Sequence, residues 1–208
     1  MQLEKMSGIT IAIIAIVVFV GIMIYSAQTL LPQLQNPEFI LSEAQIQKTE
    51  TIQIKDGEIY KYKYIAGNAS ANITYSVSYD GICTWVSVVG GEGMVCLDQN
   101  GNDKAARNSS YSTPAIVLMK PWMLAVHKDW EWNVSSYMVF DEMAQHVSDT
   151  DYEVIREEQY KGRDAFVVKI NSSDGNEVWD WVDKDKRILL REVGLQYEVV
   201  LVEGLEFE

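Results

Sequence analysis

Few side chains in this sequence have the type and spacing that chemistry needs. His127 and His146 are its only imidazoles, in AVHKDW and AQHVSD, and neither has a partner at ligand spacing. A zinc centre would need further His or Cys. No G-x-S-x-G turn occurs. Without a base–nucleophile pair or a metal cluster, the expectation is a non-catalytic protein with no cofactor and no metal. Asp98-Gln-Asn-Gly-Asn-Asp103 starts like a calcium loop. It then places Asp103 where glycine is required and Ser109 where a bidentate Glu is required, so it reads as a plain turn. Asp149-Thr150-Asp151 and Asp183-Lys184-Asp185 read as turns as well.

Two cysteines, Cys83 and Cys96, lie on either side of VSVVGGEGMV, two apolar runs around a Gly-rich turn. A hairpin of this length brings them close. In an oxidising space they would pair, closing a loop worth about 3 kcal/mol. Asn68, Asn72, Asn108, Asn133 and Asn171 each begin an N-x-S/T sequon with a non-proline middle residue. That number suits an exported glycoprotein, and equally a Ser/Asn-rich surface that is never modified.

The aromatic and methionine residues form the set with most binding potential. Trp122, Trp130 and Trp132 accompany Met119 and Met123 in AIVLMKPWMLAVHKDWEW, which reads as one or two short helices with Pro121 near the start of the second. Trp179 and Trp181 share one face of a strand, with Asp180 on the opposite, solvated face. These side chains either fill a core or line an adaptable apolar cleft between sheet and helices, and both readings can hold together. A cleft would gain about 0.8 kcal/mol per ligand CH2 buried.

What must position them is mostly strand. EIYKYKYIAG alternates Tyr60, Tyr62 and Tyr64 against Lys61 and Lys63. NITYSVSYDG sets Ile73, Tyr75, Val77 and Tyr79 against Thr74, Ser76 and Ser78. After residue 132, strand-like runs recur at roughly ten-residue spacing with turn residues between, the signal of an antiparallel meander. The fold class is therefore mainly β (α+β): an N-terminal transmembrane helix, then a curved antiparallel sheet or half-barrel with a short helical insertion.

The transmembrane helix is read from Ile9–Leu31, ITIAIIAIVVFVGIMIYSAQTLL, which carries no charge. At about 1.5 Å per residue it can cross a hydrocarbon core about 30 Å thick. A cleaved signal has a shorter apolar region and ends at a small-x-small site, whereas bulky Tyr25 would occupy that site here. The organisation expected is an anchor over 1–31, a spacer over 32–50 and a β-rich domain over 51–208. The basic-residue bias is weak, but it points the C-terminal domain outside a single-pass cell-membrane protein. Seventeen basic residues against 30 acidic ones give a net charge of −13, which argues against nucleic-acid binding and against docking on anionic lipid. The membrane is then a partner through residues 9–31, alongside a lipid-like ligand or an envelope protein.

The tract Asp164–Val193 resembles the closing strands of the lipoprotein-carrier family, which includes the bacterial lipoprotein sorting carriers and the ligand-binding domains of envelope-stress regulators. Gly162 opens one strand, Trp181-Val182-Asp183 marks the next, and Leu189-Leu190-Arg191 the third. The resemblance implies a half-barrel sheet whose concave side, plugged by helices, holds acyl chains or other apolar ligands. This chain departs from the soluble carriers in keeping a membrane helix and in lacking a lipidated cysteine, so a fixed receptor, chaperone or surface module fits better than a shuttle. A rival reading is a structural surface protein, pilin-like or an envelope-associated glycoprotein, although Lys5-Met6-Ser7-Gly8-Ile9 only loosely approximates a pilin processing site.

Overall fold

Alternation of apolar and polar side chains governs the observed architecture. The structure, a computed structural model, describes residues 38–43, 46–91, 94–104, 117–140 and 143–205. The chain divides into Met1–Glu38 and Phe39–Glu208, and the core belongs to the second unit. The expected anchor, residues 9–31, lies outside the described residues. Among the described residues no helix is long and apolar enough to cross a membrane.

Among the described residues, eleven strands form one sheet. They are β1 (Glu38–Glu43), β2 (Ile59–Ala66), β3 (Ala69–Tyr79), β4 (Thr84–Val88), β5 (Met94–Leu97), β6 (Glu131–Phe140), β7 (Met143–Tyr160), β8 (Arg163–Ser172), β9 (Glu177–Asp183), β10 (Leu189–Val193) and β11 (Tyr197–Glu203). Their spatial order is β1-β6-β7-β8-β9-β10-β11-β2-β3-β4-β5. From β6 through to β5 every neighbouring pair is antiparallel. Two meanders, β2–β5 and β6–β11, are thus joined where β11 pairs with β2. The mainly-β expectation holds.

Four local expectations need correction. Strand β1 falls inside the stretch read as a spacer. The insertion contains only a single 3-10 turn among the described residues, Pro121–Leu124, with Pro121 at its first position. Trp132, assigned to that insertion, lies in β6. Its neighbours take the place of helices by bonding to other backbone: Leu118 accepts from the Leu189 N–H (2.9 Å), and Leu124 accepts from Thr49 and Glu50 (3.1 and 3.0 Å). Each such bond satisfies a carbonyl that a helix would have satisfied internally. Asp149-Thr150-Asp151 is likewise not a turn but the middle of β7.

The segment 117–126 covers one face of the sheet. The core assembles there: Tyr60, Tyr62, Tyr75 and Val77 from the first meander, Val168, Val182, Leu189 and Leu201 from the second, and Leu118, Met123 and Leu124 from the segment itself. Register confirms the alternation read from sequence. Tyr60 pairs with Tyr75 and Tyr62 with Ile73, all on the covered face. The buried Tyr62 hydroxyl donates to the Leu189 carbonyl at 2.6 Å. Tyr79, at the strand end, is 58% exposed and so leaves the core.

Three turns behave as their residues dictate. Asp98 accepts from the N–H groups of Asn100 and Asn102 (2.8 and 3.0 Å), and Gly101 supplies φ +76°. Asp183 accepts from the N–H groups of Asp185 and Lys186 and from Arg163, closing the β9–β10 turn that comes after the Trp-Val-Asp run. Cys83 and Cys96 are joined in a disulfide, with Cα atoms 5.3 Å apart, as the hairpin predicts.

Candidate functional site

Lys120 stands in the middle of an apolar run, between Met119 and Pro121. The Pro121–Leu124 turn fixes its direction, aiming Nζ across the covered face at two carboxylates. Nζ donates to Asp180 Oδ2 at 3.0 Å and to Glu192 Oε2 at 2.5 Å. Register explains why these acids meet, because Asp180 of β9 lies directly opposite Glu192 of β10. Tyr197 on β11 completes the group by donating its hydroxyl to Glu192 Oε1 at 2.8 Å. The Tyr197 ring stacks on Tyr64, centroids 5.7 Å apart.

The electrostatics follow from burial. Asp180 has no exposed surface, whereas Lys120 keeps 30% of its side-chain exposure. Burial pushes the Asp180 carboxyl up to about 7; Lys120 opposes that and the neighbouring Glu192 charge adds to it. Burial also acts upward on Glu192, but Lys120 and the Tyr197 hydroxyl outweigh it and hold Glu192 below the usual carboxylate range. Burial acts downward on Lys120, and the two acids more than reverse it, so its ammonium is held on more firmly than in water. Among the described residues, Asp180 Oδ1 accepts from no donor. A carboxyl that keeps its proton near neutrality can donate as well as accept, and the neighbouring Glu192 charge favours that proton.

An aromatic stack adjoins this group. Lys120 Nζ is 5.9 Å from the Trp122 ring centroid. Trp122 stacks on Trp130 (5.9 Å, 11°), Trp130 on Trp132 (6.4 Å), and Tyr152 of β7 packs 4.8 Å from Trp132 and 5.3 Å from Trp122. The pairing of Trp132 with Tyr152, and of Tyr152 with Ile170, puts them all on the covered face. Met119, Trp122, Met123 and Trp130 are buried, while Trp132 and Tyr152 are half-buried. The arrangement is an apolar wall with a charged end, reachable through Trp132, Tyr152 and Lys120.

The seven expected ligand residues therefore do not all converge. Met119, Trp122, Met123, Trp130 and Trp132 come together. Trp179 and Trp181 lie on the opposite face, because Trp181 pairs with Val167 and Trp179 with Lys169. Their rings meet cations there: Arg191 is 4.8 Å from Trp181, and Arg156 and Lys169 are 5.8 and 5.7 Å from Trp179. Their indole N–H groups donate to Glu158 and Glu177. The expected solvated position of Asp180 is reversed: the aspartate is on the covered face and the tryptophans are on the other, where Trp181 is buried and Trp179 half-buried. Lys120, Asp180, Glu192 and Tyr197 were missed as a group. The available signal was a charge embedded in each of two apolar runs, VLMKPWML and EVWDWV, which points to a buried pair.

His127 and His146 are exposed. His127 Nδ1 lies 2.6 Å from the Lys128 carbonyl, and His146 Nε2 lies 2.9 Å from Asp149. Among the described residues no three His, Cys, Asp or Glu are grouped as metal ligands.

The chain matches no family model and no curated protein. Among solved structures it is similar to the crystal structure of a DUF1329 family protein from Desulfovibrio piger ATCC 29098, with 9% identity and a TM-score of 0.23 over 83% of this chain and 72% of that chain.

Proposed function

We propose that this protein is a membrane-anchored, extracytoplasmic, non-catalytic binding domain that takes an apolar or lipid-like ligand on the covered face of its sheet. One observation supports it most: the Trp122–Trp130–Trp132–Tyr152 stack ends at Lys120, Asp180 and Glu192. An apolar body would lie along the half-buried rings, and a polar head would meet the charged end. The Cys83–Cys96 bridge suits an oxidising space, and residues 9–31 supply the tether.

The test is thermal unfolding of the full chain in detergent with and without a water-soluble medium-chain fatty acid. A ligand present at a hundred times its Kd stabilises by about 2.7 kcal/mol, which raises the melting temperature by several degrees. Trp132→Ala should abolish most of that rise. Identical melting with and without the fatty acid would remove the lipid-like ligand from the account.

A further inference from the structure

The sequons look scattered along the sequence, but register brings three of them to one side. Asn72 pairs with Lys63, so it lies opposite in sense to the pair of buried Tyr62 and half-buried Ile73. Asn133 pairs with Asp151, and Asp151 pairs with Asn171, while their neighbours Trp132, Tyr152 and Ile170 belong to the covered face. Asn72, Asn133 and Asn171 thus all stand on the face away from segment 117–126. Asn68 lies in the turn between β2 and β3. Asn68, Asn72 and Asn133 are exposed and Asn171 is half-buried. Asn108 lies outside the described residues.

We propose that this face is the sugar-bearing face of the protein, with N-linked glycans on Asn72, Asn133 and Asn171. The inference rests on the domain standing outside the membrane, but not on any ligand. The reaction joins Asn Nδ2 to the anomeric carbon of a lipid-linked glycosyl phosphate. The bond from that carbon to the phosphate oxygen breaks, the lipid phosphate leaves with the bonding pair, and one Nδ2 proton passes to the released phosphate. The second Nδ2 proton stays, so Asn133 keeps its donation to Asp151 Oδ1, 2.6 Å in the bare protein. The acceptor hydroxyls stay near the same strand: Ser135 donates to Asp149 Oδ1 at 2.6 Å, and Ser173 accepts from the Asp149 N–H at 3.0 Å. Asn133 and Asn171 sit two strands apart, about 10 Å, which leaves room for two chains projecting side by side. Sugars there would keep partners off this face and leave the covered face for binding.

The competing account is that Asn133, Asp151 and Asn171 form a plain polar ladder. Peptide mapping by mass spectrometry, on the full chain isolated from the cells that make it, separates the two. The expected result is a glycan mass on the peptides containing Asn72, Asn133 and Asn171, with one increment lost for each Asn→Gln change. Bare asparagines alongside an oxidised Cys83–Cys96 bridge would overturn this inference and leave the exterior location standing. Bare asparagines with reduced cysteines would overturn both. Sugar confined to Asn68 or Asn108 would overturn the one-face assignment.

Discussion

Replacing Asp180 with Asn should remove a loss of stability that the protein otherwise suffers as pH rises from about 4 to about 7. Asp180 is wholly buried, and burial, opposed by Lys120 and reinforced by Glu192, lifts its carboxyl to about 7 from an ordinary value of 3.8. Between those two values the folded protein holds a proton that the unfolded chain has released. The unfolded state then binds fewer protons, so this group makes stability fall as pH rises through the window, by at most about 1.4 kcal/mol per pH unit. Summed over the window from 3.8 to about 7, the cost of ionising Asp180 in the fold is at most about 4 kcal/mol and is complete by pH 8. Asparagine keeps an oxygen for Lys120, offers an N–H to Glu192 and does not titrate. Urea unfolding of wild type and Asp180→Asn at pH 5, 6, 7 and 8 measures the difference directly. The variant should be more stable by about 1 to 2 kcal/mol at pH 5, and the gap should widen to about 4 kcal/mol near pH 7 and then level off. Parallel curves would refute the reasoning, because they would mean that Asp180 is ionised throughout.

Other consequences are simpler. Lys120→Met leaves Asp180 and Glu192 without their cation and should cost about 3 kcal/mol at pH 8 in the same assay, and less at pH 5, where the acids can take up protons. Cys83→Ser with Cys96→Ser opens a loop of sequence separation 13 and should cost about 3 kcal/mol, seen as a lower melting temperature that reductant no longer changes. Gly101→Ala would place a Cβ 2.9 Å from Leu124 Cδ1 and 3.1 Å from Met119 Cε at φ +76°, and should cost about 1 to 2 kcal/mol by urea unfolding.

Much of the sheet could be read from alternation, because each strand carries its own record of which side faces the core. Tyr60, Tyr62, Tyr75 and Val77 are buried as their spacing requires, and the cysteine hairpin and the Asp98 and Asp183 turns follow from local chemistry. The same rule failed at β9. It assigns a charged residue to water, yet Asp180 is buried where Lys120, 60 residues earlier in the chain, donates to it. Nothing within EVWDWV carries that partner. The tryptophans on either side then take the other face, where Arg191, Arg156 and Lys169 cover their rings and Trp181 is buried. Segment 117–126 misled for a related reason. Its Met, Leu and Trp content suits a helix, but its backbone bonds are made to Leu189, Thr49 and Glu50, contacts set by the sheet rather than by local propensity. Strand β1 was hidden in a stretch with two prolines that reads as a spacer.

The central claim is that the covered face binds and the opposite face does not. A photoactivatable fatty acid, added to the full chain in its own membranes and mapped by mass spectrometry after illumination, tests it most directly. The account predicts adducts on residues 117–132 and on the β7 stretch around Tyr152, reduced by Trp132→Ala. Adducts only on residues 9–31, or around Trp179 and Trp181, would contradict it.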